Sequence, residues 1–196
     1  MKRMLICGDR FWGRVEVLPK EMSGRYTSNV ACFEVMKRYI EFARMVGFNS
    51  IVEGEALGAD SMSGEIGTLM GFEVIRELAD WGKYHKGAGL VRNSKMLTYE
   101  PQLVIAFHGD ISQSRGTLNM ITQARKAGVP VILVDAEEAV QVFLPTKATW
   151  MIMESVKGFL VTLVQDAMNA REGEVPFTRD DAEEFMKERG LDAVHK

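Results

Sequence analysis

Cysteine is scarce in this chain: among its 196 residues there are two, Cys7 and Cys32. Their separation fits no metal-ligand spacing and one pair makes no disulfide framework, so both read as reduced, small apolar side chains. The three histidines, His85, His108 and His195, show no paired ligand spacing, and no metal site is expected. Nor is there a Ser-His-Asp or Cys-His arrangement legible along the chain. No segment offers about 20 uninterrupted apolar residues for a membrane span, and the run at Met1 to Gly8 is too short for a signal peptide. The expected place is the cytoplasm, with no membrane partner. Charge of one sign is also missing: the formal net charge is -3 and basic residues are interleaved with acidic ones. That argues against tracking nucleic-acid phosphates, which needs clustered cations, while leaving room for a local basic pocket.

What is present is an alternation. Met4 to Cys7 is a short apolar run stopped by Gly8-Asp9, the mark of a buried parallel strand ending in a loop. Gly8 to Ser28 is polar and reads as a long loop. Val30, Phe33, Val35, Met36, Ile40, Phe42, Ala43 and Val46 recur near helical spacing from Asn29 to Val46, and Gly47 stops them. A strand follows at Ser50 to Glu53, a helix at Ala59 to Met70, a strand at Glu73 to Glu77 and a helix at Leu90 to Tyr99 ended by Pro101. Leu103 to Phe107 is the cleanest buried strand; Gly116 to Ala127 reads as a helix and Pro130 to Val134 as a fifth strand. Strands alternating with helices predict an α/β fold, a Rossmann-like parallel sheet with helices on both faces, over residues 1–135.

Beyond Asp135 no further strand is expected, and residues 136–196 read as a helical extension. Trp150, Met153, Val156, Phe159, Leu160, Leu163, Val164 and Ala167 form a wide apolar stripe. The expected role is a helix closing the sheet's edge or face; the sharper alternative is a homodimer seam. A last helix is expected from Arg179 to Arg189.

Ligands of open parallel sheets bind beyond the carboxyl ends of the strands, where the winding direction reverses. The special residues of this sequence gather there: Gly8, Asp9 and Arg10 after the first strand, Glu53, Gly54, Glu55, Gly58 and Asp60 after the second, Asp80 and Trp81 after the third, Gly109 through Thr117 after the fourth. Gly116-Thr117 opens a helix whose free amides and dipole favour an anion, although a tight turn with a threonine cap gives the same two residues. Arg92 suits a bidentate phosphate contact, or is a solvated helix charge. Asp60 favours the helix dipole simply by its place, or binds a ribose hydroxyl or orients a neighbouring base. Trp81 offers a stacking surface or covers the rim of the core.

The ordered combination Ala79-Asp80-Trp81-Gly82-Lys83-Tyr84, Gly87-Ala88-Gly89-Leu90-Val91-Arg92-Asn93-Ser94-Lys95-Met96, the strand Leu103 to Phe107, Gly116-Thr117 and Ala124-Arg125-Lys126-Ala127-Gly128-Val129-Pro130 resembles the SLOG superfamily. That is the Rossmann-like group containing the Lonely-guy and DprA proteins; the likeness is closest to its YspA-like branch, frequent in bacteria and their phages, and covers Met1 to Val134. The resemblance implies a pocket for nucleotides or nucleotide-derived ligands, lined by the glycine loops and by Arg92, Asn93, Gly116 and Thr117, with no resident cofactor. Lonely-guy enzymes cleave the N-glycosidic bond of a nucleoside monophosphate and resemble this chain at Arg92, Met96, Gly116 and Thr117. Asn119 stands where that pattern has a catalytic glutamate, and an amide supplies neither a general acid nor a full negative charge. The Gly109 to Arg115 loop is longer and less glycine-rich than the family's compact glycine loop, and Arg115 is either a further phosphate contact there or a solvated charge.

Three functions are carried forward. The first is a binding module or nucleotide-processing protein for a nucleotide-like phosphate ligand. The second is an N-glycoside hydrolase or ribosyl transferase in which Glu53, Glu55, Asp60 or Asp80 replaces the missing acid. The third, nucleic-acid binding as in the DprA proteins, is disfavoured by the charge balance.

Overall fold

The computed structural model describes residues 1–13, 29–135 and 140–143. The chain divides into two compact units, Met1–Lys147 and Ala148–Lys196, and all described residues belong to the first. The apolar stripe from Trp150 to Ala167 and the helix expected at Arg179 to Arg189 lie outside the described residues.

In chain order the elements are β1 (Lys2–Gly8), α1 (Asn29–Met45), β2 (Phe48–Glu53), α2 (Ala59–Leu69), β3 (Glu73–Arg76), α3 (Trp81–Tyr84), α4 (Ala88–Leu97), β4 (Leu103–Phe107), α5 (Arg115–Lys126), β5 (Val131–Val134) and β6 (Val140–Phe143). Single 3-10 turns occupy His85–Gly87 and Ile111–Gln113. The six strands form one sheet in the order β3-β2-β1-β4-β5-β6. The first five are mutually parallel, as the alternation of strands and helices predicts, and β6 pairs antiparallel with β5, Val134 opposite Val140 and Val131 opposite Phe143.

β6 corrects the reading that the sheet ends at Asp135 and gives way to helix. Four residues, Val-Gln-Val-Phe, are too few for strand alternation to stand out from helical spacing, and the half-exposed edge lacks the unbroken apolar run of the central strands. Helix α3 is a single turn in a stretch that reads as loop, and the boundaries of the other elements shift by a residue or two, as is normal at frayed ends.

Side chains of each strand alternate between the two faces. Leu5 and Cys7 of β1, Val104 and Ala106 of β4 and Val131 and Leu133 of β5 pack with Met96 of α4 and with Met120, Ile121 and Ala124 of α5. On the opposite face Phe107 meets Trp12 and Tyr39 of α1, with ring centroids 5.3 and 5.9 Å apart. Ile51 packs so close to α2 that a Cβ on Gly67 would sit 2.6 Å from its Cδ1. Helices therefore cover both faces. Among the described residues no helix is long and apolar enough to cross a membrane.

From β1 the chain winds outward through β2 to β3, then returns to lay β4 on the other side of β1. The winding reverses between β1 and β4, and the adjoining loops diverge there to leave a crevice.

Candidate functional site

Gly8 and Phe107 are register partners at the carboxyl ends of β1 and β4. The strands and α2 converge so tightly that a side chain on Gly8 would overlap the Phe107 carbonyl and crowd Ala59 Cβ. The Asp9 amide donates to Phe107 O at 2.9 Å, and the Asp9 carbonyl accepts from the Ala59 amide at 3.0 Å. Gly58 adopts φ 80°, and a Cβ there would overlap the backbone of Asp9 and Arg10. Above this junction opens a cleft of about 790 Å³.

Ten of the residues expected at a ligand site line this cleft: Gly8, Asp9, Arg10, Asp60, Trp81, Arg92, Asn93, Arg115, Gly116 and Thr117. Gly54, Gly58, Asp80, Gly109 and Asn119 do not. Cys7, Phe11, Ala56, Lys86, Gly89, Leu90, His108, Ser114 and Met120 also line it. Of these, the cation Lys86 and the imidazole of His108 carry chemistry that the sequence reading left unassigned.

Arg92 reaches from α4 across to the loop after β2. Its Nη1 donates to the Gly54 carbonyl at 2.7 Å and stands 3.5 Å from Asp60 Oδ2. Gly54 makes room for this: a Cβ would overlap the guanidinium carbon. Asp60, in the first turn of α2, is 2% exposed. Burial pushes its carboxyl up to about 6, opposed by Arg92, by hydrogen bonds from the Ala56 and Gly54 amides, and by Arg10. Asp60 Oδ2 and Arg92 Nε are buried without a hydrogen-bond partner. Such groups are rare in folded proteins.

The opposite wall is the start of α5. Ser114, not Thr117, is the cap: its Oγ accepts from the Thr117 amide at 3.1 Å and donates to Thr117 Oγ1 at 2.9 Å. The Leu118 amide donates to the Ser114 carbonyl. The first turn's other amides, those of Arg115 and Gly116, have no intrahelical acceptor by the geometry of a helix start. A Cβ on Gly116 would meet nothing within 4 Å. Asn93, 3% exposed, ties the walls together through Nδ2, which donates to Gly116 O at 3.1 Å and Asn119 Oδ1 at 3.2 Å. Asn119 Oδ1 also accepts from Gln123 Nε2, so the amide is committed to a network beneath the cleft rather than turned into it. Helix α5 contains no acidic residue to offset the positive end of its dipole.

On the floor Asp9 and His108 face each other, the first residues beyond β1 and β4. Asp9 Oδ1 accepts from the Phe11 amide at 2.9 Å. His108 Nδ1 accepts from the Asp110 amide at 3.1 Å, which assigns the ring proton to Nε2, 3.7 Å from Asp9 Oδ2. The signal for His108 was its place, one residue beyond the strand beside β1.

Glu53 and Asp80 have partners outside the cleft. Glu53, 1% exposed, pairs with Arg76 Nε at 3.1 Å and accepts from the Glu55 amide. Burial, reinforced by Asp60, pushes it up to about 7 against the Glu55 amide and Arg76. Asp80 caps α3, accepting from the Lys83 amide at 2.9 Å. Among the four acids weighed for catalysis, Glu53, Glu55, Asp60 and Asp80, only Asp60 lines the cleft. Among the described residues no group of His, Cys, Asp and Glu is placed to hold a metal ion.

No protein-family model matches the chain, and no solved structure matches it. The chain is similar to the "Gene 61 protein" of Mycobacterium phage D29, with 38% identity over an alignment of 87 residues that covers 42% of this chain and 68% of the phage protein.

Proposed function

Because the chain belongs to the family of the phage D29 Gene 61 protein, a name that specifies no activity, we propose its function from the cleft: it binds a nucleotide or nucleotide-derived phosphate ligand at the β1/β4 switch point. The observation that carries this reading is the convergence of Arg92 with the open first turn of α5 on one cavity, to which Arg10, Lys86 and Arg115 add positive charge. A guanidinium offers paired donors to phosphate oxygens, and helix amides add fixed dipoles that need no reorganisation. The net charge of the chain is -3, so this local field is built against the overall balance. The ligand is small, and the protein acts in a cytoplasm as a sensor or in nucleotide processing.

Isothermal titration against mononucleotides, NAD, ADP-ribose and cyclic nucleotides tests the proposal. At least one is expected to bind, and Arg92→Met is expected to weaken it by about tenfold or more, the worth of a charge-assisted hydrogen bond. Uniformly flat traces with folded protein would contradict it.

A second reading, cleavage or transfer at an N-glycosidic bond, is favoured by one observation. Asp60 lines the cleft with its carboxyl raised to about 6, near the range where a carboxyl exchanges a proton at neutral pH. Free base released from a nucleoside monophosphate by the wild-type chain and not by Asp60→Asn is the expected sign; no release at high protein concentration rules it out.

A further inference from the structure

Two tryptophans among the described residues are treated in opposite ways. Trp12 is fully buried, with its indole N–H donated to the Cys32 carbonyl at 3.3 Å. Trp81 is 52% exposed. It is nevertheless held in place, because it opens a helical turn fixed by the Asp80 cap and by the Tyr84 amide donating to the Asp80 carbonyl at 3.0 Å. A large indole left half in water at the mouth of a cavity forgoes burial that the fold could have used.

The cavity is also divided along its length. A Cβ on Gly89 would stand 3.9 Å from Trp81 Cη2, so the indole lies against the first turn of α4. Gly89, Arg92 and Asn93 follow at spacings of three and four and share one face of that helix, all three lining the cleft. Three residues along a helix is a rise of about 4.5 Å. Trp81 and Leu90 at the first turn of α4 and Arg92 further on therefore line the cleft in succession, an arrangement that suits a ligand carrying a ring at one end and a phosphate at the other. The cavity of about 790 Å³ is far larger than inorganic phosphate needs.

We infer that the cleft contains a nucleobase subsite, in which the heteroaromatic ring of the ligand stacks on the exposed indole of Trp81 while its phosphate lies at Arg92 and the α5 amides. This rests on the phosphate reading above and adds to it a class of ligand: nucleotides, in preference to sugar phosphates. Stacking needs only a π face, so it ranks bases by ring area, purine before pyrimidine, without reading their edges.

Calorimetric titration of the full chain with adenosine monophosphate, uridine monophosphate and ribose 5-phosphate decides the matter. In the wild type the adenine nucleotide is expected to bind about tenfold or more tighter than the sugar phosphate, with the uridine nucleotide between them. Trp81→Leu is expected to bring the adenine nucleotide down to the sugar phosphate's affinity and leave the sugar phosphate unchanged; Trp81→Phe, which keeps an aromatic face, retains most of the difference. Equal affinities for adenosine monophosphate and ribose 5-phosphate in the wild type overturn the base subsite and leave the phosphate reading standing. A preference that survives in Trp81→Leu also overturns it, and no binding by any of the three sinks both. Should Trp81→Leu fail to fold, the wild-type comparison of the two ligands decides alone.

Discussion

At the scale of single residues, glycines near the cleft do different work although they look alike in sequence. Gly54 lies beneath the Arg92 guanidinium, where a methyl group would overlap it, whereas Gly116 stands in the first turn of α5 with open space around it. Gly54→Ala is expected to push Arg92 away from the Gly54 carbonyl and from Asp60, leaving that carboxyl buried without its cation. The variant should lose about 1–3 kcal/mol of stability and bind phosphate ligands about tenfold or more weakly. Gly116→Ala should raise stability by a few tenths to about 1 kcal/mol, since alanine fits helical backbone and restricts the unfolded chain. Urea denaturation of both variants checks the contrast; equal effects of the same sign would contradict the separate roles. In the sequence both look like ligand glycines, because a chain does not reveal which side chain lies over a glycine.

At the scale of elements, the presentation of α5 depends on Ser114. Its hydroxyl occupies the Thr117 amide and leaves the Arg115 and Gly116 amides without an intrahelical acceptor in a turn that lines the cleft. Ser114→Ala is expected to cost about 1 kcal/mol, read as a lowered melting temperature, through loss of the cap. Ser114→Asp keeps a capping oxygen and should hold stability near that of wild type, yet it adds an anion where a phosphate belongs. Binding should therefore fall by about tenfold or more while folding does not. If Ser114→Asp bound phosphate ligands as well as wild type, α5 would not be the anion wall. Sequence makes α5 legible through its apolar spacing but offers Thr117 as the alternative cap, because both serine and threonine cap helices and a shift of three residues in the start exchanges one for the other.

The same scale shows which elements a sequence displays. β4 is apolar throughout and fully buried, and its bounds were legible as Leu103 to Phe107. α3 is four residues, one turn, too short for any periodicity to register. β6 combines brevity with half exposure, so neither an apolar run nor a clean alternation marks it. Along the chain His108 presents itself only as a metal-ligand candidate without a spaced partner, whereas its neighbour in space is a carboxylate beyond another strand. Pairings across the switch point are set by strand order, which local pattern does not contain.

At the scale of the whole molecule, the sheet gathers two buried acids, Glu53 and Asp60, near the carboxyl end of β2. Both are raised, to about 7 and about 6, chiefly by burial. A carboxyl that titrates higher when folded than when unfolded binds extra protons in the folded state. Its contribution is full below the unfolded value and is lost as pH rises through the folded one. For these groups the loss runs between about pH 4 and pH 7, and Asp60 alone contributes on the order of 3 kcal/mol. Glu77 moves the other way: burial opposes its ionisation, but hydrogen bonds from Lys95 and Tyr99 outweigh that and hold it below its ordinary value, so its effect falls at lower pH. The urea midpoint is expected to be higher at pH 5 than at pH 8, with a smaller difference in Asp60→Asn. A midpoint that climbs from pH 5 to pH 8 would contradict the burial of these two acids.

The central claim is that Arg92 and the first turn of α5 form two walls of one anion site. A crystal structure of the full chain with saturating adenosine monophosphate tests it most directly. Phosphate density is expected between the Arg92 guanidinium and the Arg115 and Gly116 amides; a phosphate bound elsewhere on the protein, or an empty cleft, would overturn the proposal.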